Sequence, residues 1–146
     1  MTYLVDGYNL ILTTRFGEME MERAREYLVA FGKVYAPDRV IIVFDGKGGG
    51  GSPRPGVVFT REGESADDYM KRFIRNCEKP QELTVVTEDR EITGFAGNLG
   101  AGVMSTREFV KGPRRLRPRR GSPGLSEKKR SEINEELRED WGIEDR

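Results

Sequence analysis

Short apolar runs alternate with longer amphipathic segments along the first 110 residues of the chain. Tyr3–Val5 and Arg39–Phe44 are apolar without alternation, as is typical of parallel strands covered on both faces. Between them an apolar residue recurs every three or four positions, which predicts a helix over Glu18–Tyr35. The residues after Asn9, as far as Thr14, are predicted to form a loop. The pattern indicates an α/β domain with a mainly parallel sheet.

The alternation continues in the second half of the domain. The predicted elements there are a strand at Val57–Phe59, a helix from Ala66 to about Cys77, a strand at Glu82–Thr87, a helix beginning at Glu88–Asp89, a strand at Ala101–Ser105 and a short helix at Thr106–Phe109. The glycine-rich stretch from Lys47 to Gly56 is predicted to be a mobile loop. It lacks the Gly-Lys-Ser/Thr ending of a phosphate-binding P-loop.

Acidic residues lie at the ends of these strands or at the starts of the helices that follow. Asp6-Gly7 and Asp45-Gly46 each follow a buried strand directly. Because ligands of open α/β sheets collect at the carboxyl edge of the strands, we expect four acids to converge there. These acids are Asp6, Asp45, Asp67 and Asp89. Each also has an ordinary explanation, because aspartate is common in turns and at helix N-caps.

Two neighbouring aspartates begin the helix that follows Val57–Phe59, and helix geometry separates them. Ser65 and Asp68 have the spacing of a capping box, which gives Asp68 a structural role. At about 100° per residue, Asp68 points away from the predicted apolar face, whereas Asp67 lies on its flank. We therefore expect Asp67 to face the edge of the sheet and to be the functional residue of the two.

Composition narrows the chemistry that these acids could perform. The 146 residues include no histidine and one cysteine, Cys77. Ser-His-Asp catalysis, histidine-ligated zinc and an internal disulfide are therefore excluded. Carboxylates brought close together repel one another unless a cation compensates. The cluster therefore predicts one or two Mg²⁺ or Mn²⁺ ions, which prefer oxygen ligands and can activate water for phosphodiester hydrolysis.

Four segments of the sequence resemble, in order, the acidic motifs of PIN-like ribonucleases. The segments are Leu4-Val-Asp-Gly-Tyr-Asn9, Val43-Phe-Asp45, Gly63-Glu-Ser-Ala-Asp67 and Val86-Thr-Glu-Asp-Arg-Glu-Ile92. They are most similar to the YacP-like group of the NYN domain family. The resemblance spans about residues 2 to 110.

This resemblance implies a three-layer α/β/α, Rossmann-like fold that cleaves single-stranded RNA with Mg²⁺ or Mn²⁺. It assigns the metal-site acids to Asp6, Asp67 and Asp89. It makes Asp45 a further acid of the catalytic site and Asn9 a polar residue that supports it. The glycine-rich loop departs from the family pattern, which leaves the shape of the substrate open.

The C-terminal segment carries a concentrated positive charge, although the whole chain has 25 basic and 25 acidic residues. We divide the chain into a nuclease domain at 1–111, a basic Pro/Arg-rich linker at 112–125 and a helical tail at 126–146. The linker arginines could lie along an RNA backbone or could form a solvated connection. These arginines are Arg114, Arg115, Arg117, Arg119 and Arg120.

The tail has an apolar residue at every fourth position, at Ile133, Leu137 and Trp141. This narrow stripe could dock on the domain or on a second protomer, giving a homodimer, or it could contact the ribosome or another protein. No signal sequence or membrane-spanning run is apparent, so we expect a cytoplasmic protein without a membrane partner.

Other functions remain open at this point. A phosphoacceptor receiver domain would have an acidic pair after its first strand, but Gly7 follows Asp6. A phosphatase of the Asp-x-Asp kind would have aspartate where Tyr8 stands. The main alternative is a non-catalytic RNA- or ribosome-binding module with the same fold.

Overall fold

Five strands and five helices make up most of the part of the chain that the structure describes. The structure is a computed structural model and describes residues 1–46 and 54–114. The strands are β1 (Thr2–Asp6), β2 (Arg39–Phe44), β3 (Val57–Phe59), β4 (Leu83–Val86) and β5 (Gly102–Met104). The helices are α1 (Gly7–Thr13), α2 (Met21–Gly32), α3 (Ala66–Arg75), α4 (Arg90–Asn98) and α5 (Thr106–Val110). Short 3-10 turns cover Arg15–Glu18, Lys33–Tyr35 and Pro80–Glu82.

The strands form one parallel sheet in the order β3-β2-β1-β4-β5. The chain first builds outward from β1 through β2 to β3, and then crosses to the other side of β1 for β4 and β5. The strand order therefore reverses between β1 and β4, which is where open α/β sheets form a ligand crevice. Asp6 ends β1 and pairs with Val43 of β2, while Val5 pairs with Val86 of β4.

Both faces of the sheet are covered, which confirms the three-layer arrangement. Successive residues of β1 alternate between the two layers, because side chains of a strand point to opposite faces. Val5 packs in one core, which includes Leu10 and Phe31 from α1 and α2. Leu4 packs in the other core, together with residues from α3 and α4.

The structure differs from the predictions at two helical segments. The residues after Asn9 were predicted to be a loop, but they belong to α1, and that prediction was wrong. Leu10 and Ile11 are fully buried in this helix. Tertiary packing stabilises a helix that is too short to form alone. The long helix predicted over Glu18–Tyr35 is instead α2 flanked by two 3-10 turns.

No helix within residues 1–46 and 54–114 has the length and apolar character needed to cross a membrane. Most of the glycine-rich loop and nearly all of the C-terminal segment lie outside the described residues. The predicted linker after residue 114 and the predicted tail helix are in this part of the chain.

Candidate active site

Asp6 is a buried carboxylate at the point where the strand order reverses. It is the last residue of β1, and 7% of its surface is exposed. Gly7 allows the chain to turn directly into α1, because a Cβ at this position would lie 2.4 Å from the Phe44 ring. The glycine therefore lets α1 begin close against β2, which holds Asp6 at the carboxyl edge of the sheet.

The hydroxyl of Thr87 connects Asp6 to the neighbouring strand. Thr87 follows β4, and 2% of its surface is exposed. Its Oγ1 lies 3.2 Å from Asp6 Oδ2 and 3.2 Å from Asn9 Oδ1, and it accepts a hydrogen bond from the Asp89 N–H at 3.1 Å. The Thr87 hydroxyl lies within hydrogen-bonding distance of both acceptor oxygens, so it holds the Asp6 and Asn9 side chains next to each other.

The side-chain amide of Asn9 has a defined orientation. Its Oδ1 accepts a hydrogen bond from the Glu88 backbone N–H at 2.8 Å. Because Oδ1 also faces the Thr87 hydroxyl, the carbonyl end of the amide is engaged by the protein. The Nδ2 group remains as a donor. Asn9 is thus suited to donate a hydrogen bond to an anionic ligand and is poorly suited to bind a cation through Oδ1.

Asp67 and Asp89 come to the same edge from the starts of two helices. Asp67 is half-buried in the first turn of α3, and the exposed Asp68 completes a capping box with Ser65. Asp89 is the N-cap of α4, where its Oδ1 accepts the Glu91 N–H at 2.9 Å. The structure therefore assigns Asp68 to helix capping, as predicted, and leaves the second oxygen of Asp89 available.

The pKa values of two of these carboxylates show that the acids influence one another. Burial, together with the negative charges of Asp67 and Asp89, raises the pKa of Asp6 from 3.8 to about 6. The backbone N–H of Asn9 and the Thr87 hydroxyl oppose this rise. Burial and the charge of Asp89 also raise the pKa of Asp67. Three of the predicted site acids therefore share one electrostatic environment.

A lysine lies beside this group. Lys71 is one helical turn after Asp67, and its Nζ lies 2.6 Å from Glu91 Oε1. The positive charge of Lys71 lowers the pKa of Asp67, whereas Glu91 raises it. The ion pair joins α3, which carries Asp67 in its first turn, to the first turn of α4, which Asp89 caps.

Asp45 follows β2 directly and is half-buried. Because β2 is the neighbour of β1, Asp45 is at the same edge of the sheet as Asp6. Gly46 allows a close approach to the segment after β3. A Cβ there would lie 2.1 Å from the carbonyl oxygen of Thr60, which also hydrogen-bonds the Gly46 N–H through Oγ1.

A model of the YacP-like NYN domain matches residues 3–142 of the chain. The chain belongs to this family. The family is nuclease-like, and its match extends through the predicted linker and into the predicted tail. The division of the chain at residue 111 stays a prediction.

Two solved structures support the same assignment of this YacP-like NYN domain. Both are crystal structures of Rae1 (YacP) from Bacillus subtilis. One is 29% identical with a TM-score of 0.58, and covers 76% of this chain and 72% of that chain. The other, a W164L mutant, is 25% identical with a TM-score of 0.60, and covers 97% and 92%. No curated protein matches the chain.

The carboxylate oxygens of this NYN domain suit a hard divalent cation, but the acidic side chains are only partly brought together. Asp6, Asp67 and Asp89 offer carboxylate oxygens, which Mg²⁺ and Mn²⁺ prefer. The raised pKa values of Asp6 and Asp67 show that negative charge is concentrated there. Across residues 1–46 and 54–114, no three acidic or cysteine side chains are grouped closely enough to hold a metal. Mg²⁺ commonly keeps several waters and uses one or two carboxylates, so these residues fit such an ion.

Sequence analysis missed two residues of the site, Thr87 and Glu88. Oε1 of Glu88 accepts hydrogen bonds from Thr106 N and Oγ1 at 2.8 and 2.9 Å, which ties α5 to the loop after β4. A threonine directly after a buried strand and next to two acids could have drawn attention. Thr87 lies more than 75 residues from Asp6 and Asn9 in the sequence, so only the fold reveals that it contacts them.

Of the predicted RNA-binding arginines, only Arg114 lies within the described residues. It is exposed and borders a cleft with Tyr3 and Asp38. The same cleft is lined by Met104, Ser105 and Glu108, from the end of β5 to α5. The role of the arginines in RNA binding stays a prediction.

Proposed function

We propose that this protein is a divalent-metal-dependent ribonuclease that hydrolyses phosphodiester bonds of single-stranded RNA. The observation that carries the proposal is the Asp6 carboxylate at the point where the strand order reverses, whose pKa is raised by burial and by the charges of Asp67 and Asp89. Membership of the YacP-like NYN family supports nuclease chemistry. Single-stranded RNA is the substrate that the resemblance to PIN-like ribonucleases implies.

The residues that would hold Mg²⁺ or Mn²⁺ are Asp6, Asp67 and Asp89. When bound, the ion would lower the pKa of a water and stabilise the charge that develops on the phosphodiester. Asp6 is the anchor of this set, because it is buried and oriented by Thr87. Asp45 would complete the acidic edge beside it.

Asn9 would act on the RNA through its Nδ2 group. Since Oδ1 is held by Glu88 and Thr87, Nδ2 can donate a hydrogen bond to a phosphate oxygen. A donor whose position is fixed before the substrate arrives stabilises developing negative charge without reorganisation. Asn9 is therefore proposed to orient the scissile phosphate.

The test is cleavage of an unstructured RNA in Mg²⁺ or Mn²⁺ by the wild-type chain and by two variants. Asp6→Asn keeps the size of the side chain and removes its charge, and we expect it to abolish cleavage without unfolding the protein. Asp68→Asn is the matched control, because Asp68 is an exposed capping residue in the same acidic segment. Cleavage that survives Asp6→Asn, or that proceeds equally well in excess chelator, contradicts the proposal.

The second candidate is a non-catalytic RNA- or ribosome-binding module. It is favoured by one observation, namely that no three acids of the described residues are grouped as metal ligands. RNA binding without cleavage in any divalent metal would favour this module over the nuclease.

We also propose, from the sequence, that Arg114, Arg115, Arg117, Arg119 and Arg120 contact the RNA backbone. A cytoplasmic location, association with the ribosome and a homodimer formed through the C-terminal helix belong to the same set of proposals. Neutralising the arginines should flatten the salt dependence of RNA affinity, because each phosphate contact releases counterions.

A further inference from the structure

Arg25 is a half-buried arginine of α2 that forms no ion pair within the part of the chain that the structure describes. Its Nη1 donates a hydrogen bond to the hydroxyl oxygen of Tyr8 at 3.3 Å. By contrast, the arginines at positions 15, 54 and 72 each pair with a glutamate. A neutral hydroxyl therefore holds the Arg25 guanidinium in place and leaves its positive charge uncompensated.

The Tyr8 side chain connects this arginine to the acidic edge of the sheet. Tyr8 is the second residue of α1 and stands between Asp6 and Asn9 in the sequence. Its ring centroid lies 5.0 Å from that of Phe44, the last residue of β2, which Asp45 follows. The Tyr8 side chain therefore extends from the end of β1 toward the end of β2, and these two strand ends carry Asp6 and Asp45.

The packing of α2 against β2 places Arg25 at the same level independently. The last residue of α2 is Gly32, where a Cβ would lie 3.3 Å from Val40 Cγ1 and 3.8 Å from Ile42 Cδ1. The helix runs antiparallel to the strand that it precedes, as in other βαβ units. Arg25 lies seven residues before Gly32, which is roughly 10 Å of helix or three residues of strand. Arg25 is therefore level with Phe44, where β2 reaches the carboxyl edge.

The free charge and donors of Arg25 suit a phosphate group. An arginine has five N–H donors, and the hydrogen bond to Tyr8 uses one of them. Arginine often binds phosphate through two parallel hydrogen bonds. Lys71, whose charge acts on Asp67, is already paired with Glu91 at 2.6 Å. Arg25 is thus a cation beside the acids that is both held in position and available to an anionic ligand.

We propose that Arg25 binds a phosphate of the RNA strand beside the scissile one, and that Tyr8 positions its guanidinium for this contact. The contact lies on the β2 side of the acids, so the strand passes from Asp6 across the end of β2. Arg25 offsets the repulsion between the acidic edge and the neighbouring phosphate. This inference rests on the proposed function for its substrate, and it adds the path of the strand.

The experiment measures affinity without cleavage, using the full chain that carries Asp6→Asn, in Mg²⁺. A short single-stranded RNA is compared with copies in which one phosphate at a time is replaced by an uncharged methylphosphonate. At the position that Arg25 contacts, we expect the replacement to weaken binding by roughly 2- to 10-fold, between the values for exposed and buried charge pairs. Introducing Arg25→Gln should abolish the loss at this position and leave the losses at other positions unchanged.

Arg23→Gln is the matched control. Arg23 is exposed on the same helix, lies over the Tyr27 ring at 5.9 Å, and loses the same charge in the substitution. The Arg23→Gln protein should show the same position dependence as the parent.

Tyr8→Phe tests the positioning role, because it retains the ring and removes the hydroxyl. It should reduce the loss at the position that Arg25 contacts and have no further effect in a protein that already carries Arg25→Gln. A reduction that persists in the Arg25→Gln protein would show that Tyr8 does not act through Arg25.

The outcomes separate this inference from the proposed function. If wild-type protein cleaves RNA but Arg25→Gln changes the effect of no single phosphate, the contact is wrong and the nuclease stands. If no cleavage occurs in any metal but one position depends on Arg25 and not on Arg23, the contact stands and the nuclease is wrong. Melting temperatures show whether each variant folds. Should Arg25→Gln fail to fold, Arg25→Lys keeps the charge without the forked geometry and should reduce the loss at the same position.

Discussion

Asp6 combines two properties that oppose each other, burial and negative charge. Its surface is 7% exposed, and two further acids act on it from the starts of α3 and α4. One hydroxyl and the start of α1 provide the local stabilisation that the structure shows. In the absence of a cation, the ionised carboxylate is therefore less stable in the folded protein than in the unfolded chain.

A dependence of stability on pH follows from the raised pKa of Asp6. The pKa is 3.8 in an unfolded chain and about 6 in the folded protein, so the folded state holds the proton more tightly. The stabilisation of the folded state by protonated Asp6 is complete below pH 3.8 and is lost as the pH rises through about 6. The free energy of unfolding should fall by about 3 kcal/mol across this interval.

The measurement is denaturant unfolding of metal-free protein between pH 4 and pH 7.5 (round values that bracket the two pKa values). Asp6→Asn cannot titrate, so the difference between wild type and variant isolates this carboxylate. The difference should favour the variant increasingly as the pH rises. A difference that does not change with pH would contradict the raised pKa.

The element that best shows how local geometry fixes the site is the strand β2 with the two residues after it. The strand ends at Phe44, and Asp45-Gly46 follows. The Gly46 N–H donates to Thr60 Oγ1 at 3.0 Å, while the Thr60 N–H donates to the Phe44 carbonyl at 2.9 Å. These two bonds fasten the end of β2 to the residue after β3, and they determine where Asp45 lies.

Gly46→Ala is expected to destabilise the protein by about 1–3 kcal/mol, the usual cost of overpacking. The added Cβ would lie 2.1 Å from the Thr60 carbonyl oxygen, which belongs to the backbone and cannot turn aside. Thermal or denaturant unfolding measures the change.

Gly94→Ala is the control for this substitution. Gly94 lies inside α4, and nothing lies within 4 Å of the position of its Cβ. Alanine is better than glycine in a helix by roughly 0.5–1 kcal/mol, so this variant should be more stable than wild type. Equal effects of the two substitutions would show that Thr60 does not restrict the position after β2.

At the scale of the whole molecule, the parallel sheet gathers charge from distant parts of the chain. Asp6, Asp67 and Asp89 belong to three different βα connections, and the strand order 3-2-1-4-5 brings those connections to one edge. The ion pair between Lys71 and Glu91 joins two of them. A cation bound at this edge would therefore stabilise the folded chain more than the unfolded one.

Mg²⁺ or Mn²⁺ should raise the melting temperature of the wild-type protein at neutral pH. At a metal concentration one hundred times the dissociation constant, the stabilisation is about 2.7 kcal/mol. For a domain of this size, that corresponds to a rise of roughly 10 °C. Calorimetric scans with and without metal measure it.

Asp6→Asn should lose most of this rise, whereas Asp68→Asn should keep it. The comparison distinguishes binding at the predicted site from a general effect of divalent ions on an acidic surface. An equal rise in both variants would mean that the ion binds somewhere other than the edge formed by Asp6, Asp67 and Asp89.

Much of the architecture could be predicted from local sequence pattern. Strands such as β2 are apolar without interruption because both of their faces are buried, and this is visible in Arg39–Phe44 itself. The capping box of Ser65 and Asp68 is equally local, since both partners lie within one helical turn. Helix α1 was not predictable in this way, because its stability comes from the burial of Leu10 and Ile11.

The sequence by itself determined the alternation of strands and helices, the positions of the acids at their junctions and the exclusion of histidine chemistry. These properties depend on residue identity and short spacings. Only the tertiary structure decided that Thr87 orients Asp6, that Glu88 fixes the Asn9 amide and that Lys71 pairs with Glu91. Each of these depends on the order in which strands pair and helices cross the sheet, because hydrogen bonds and charge interactions act through space between segments far apart in the chain.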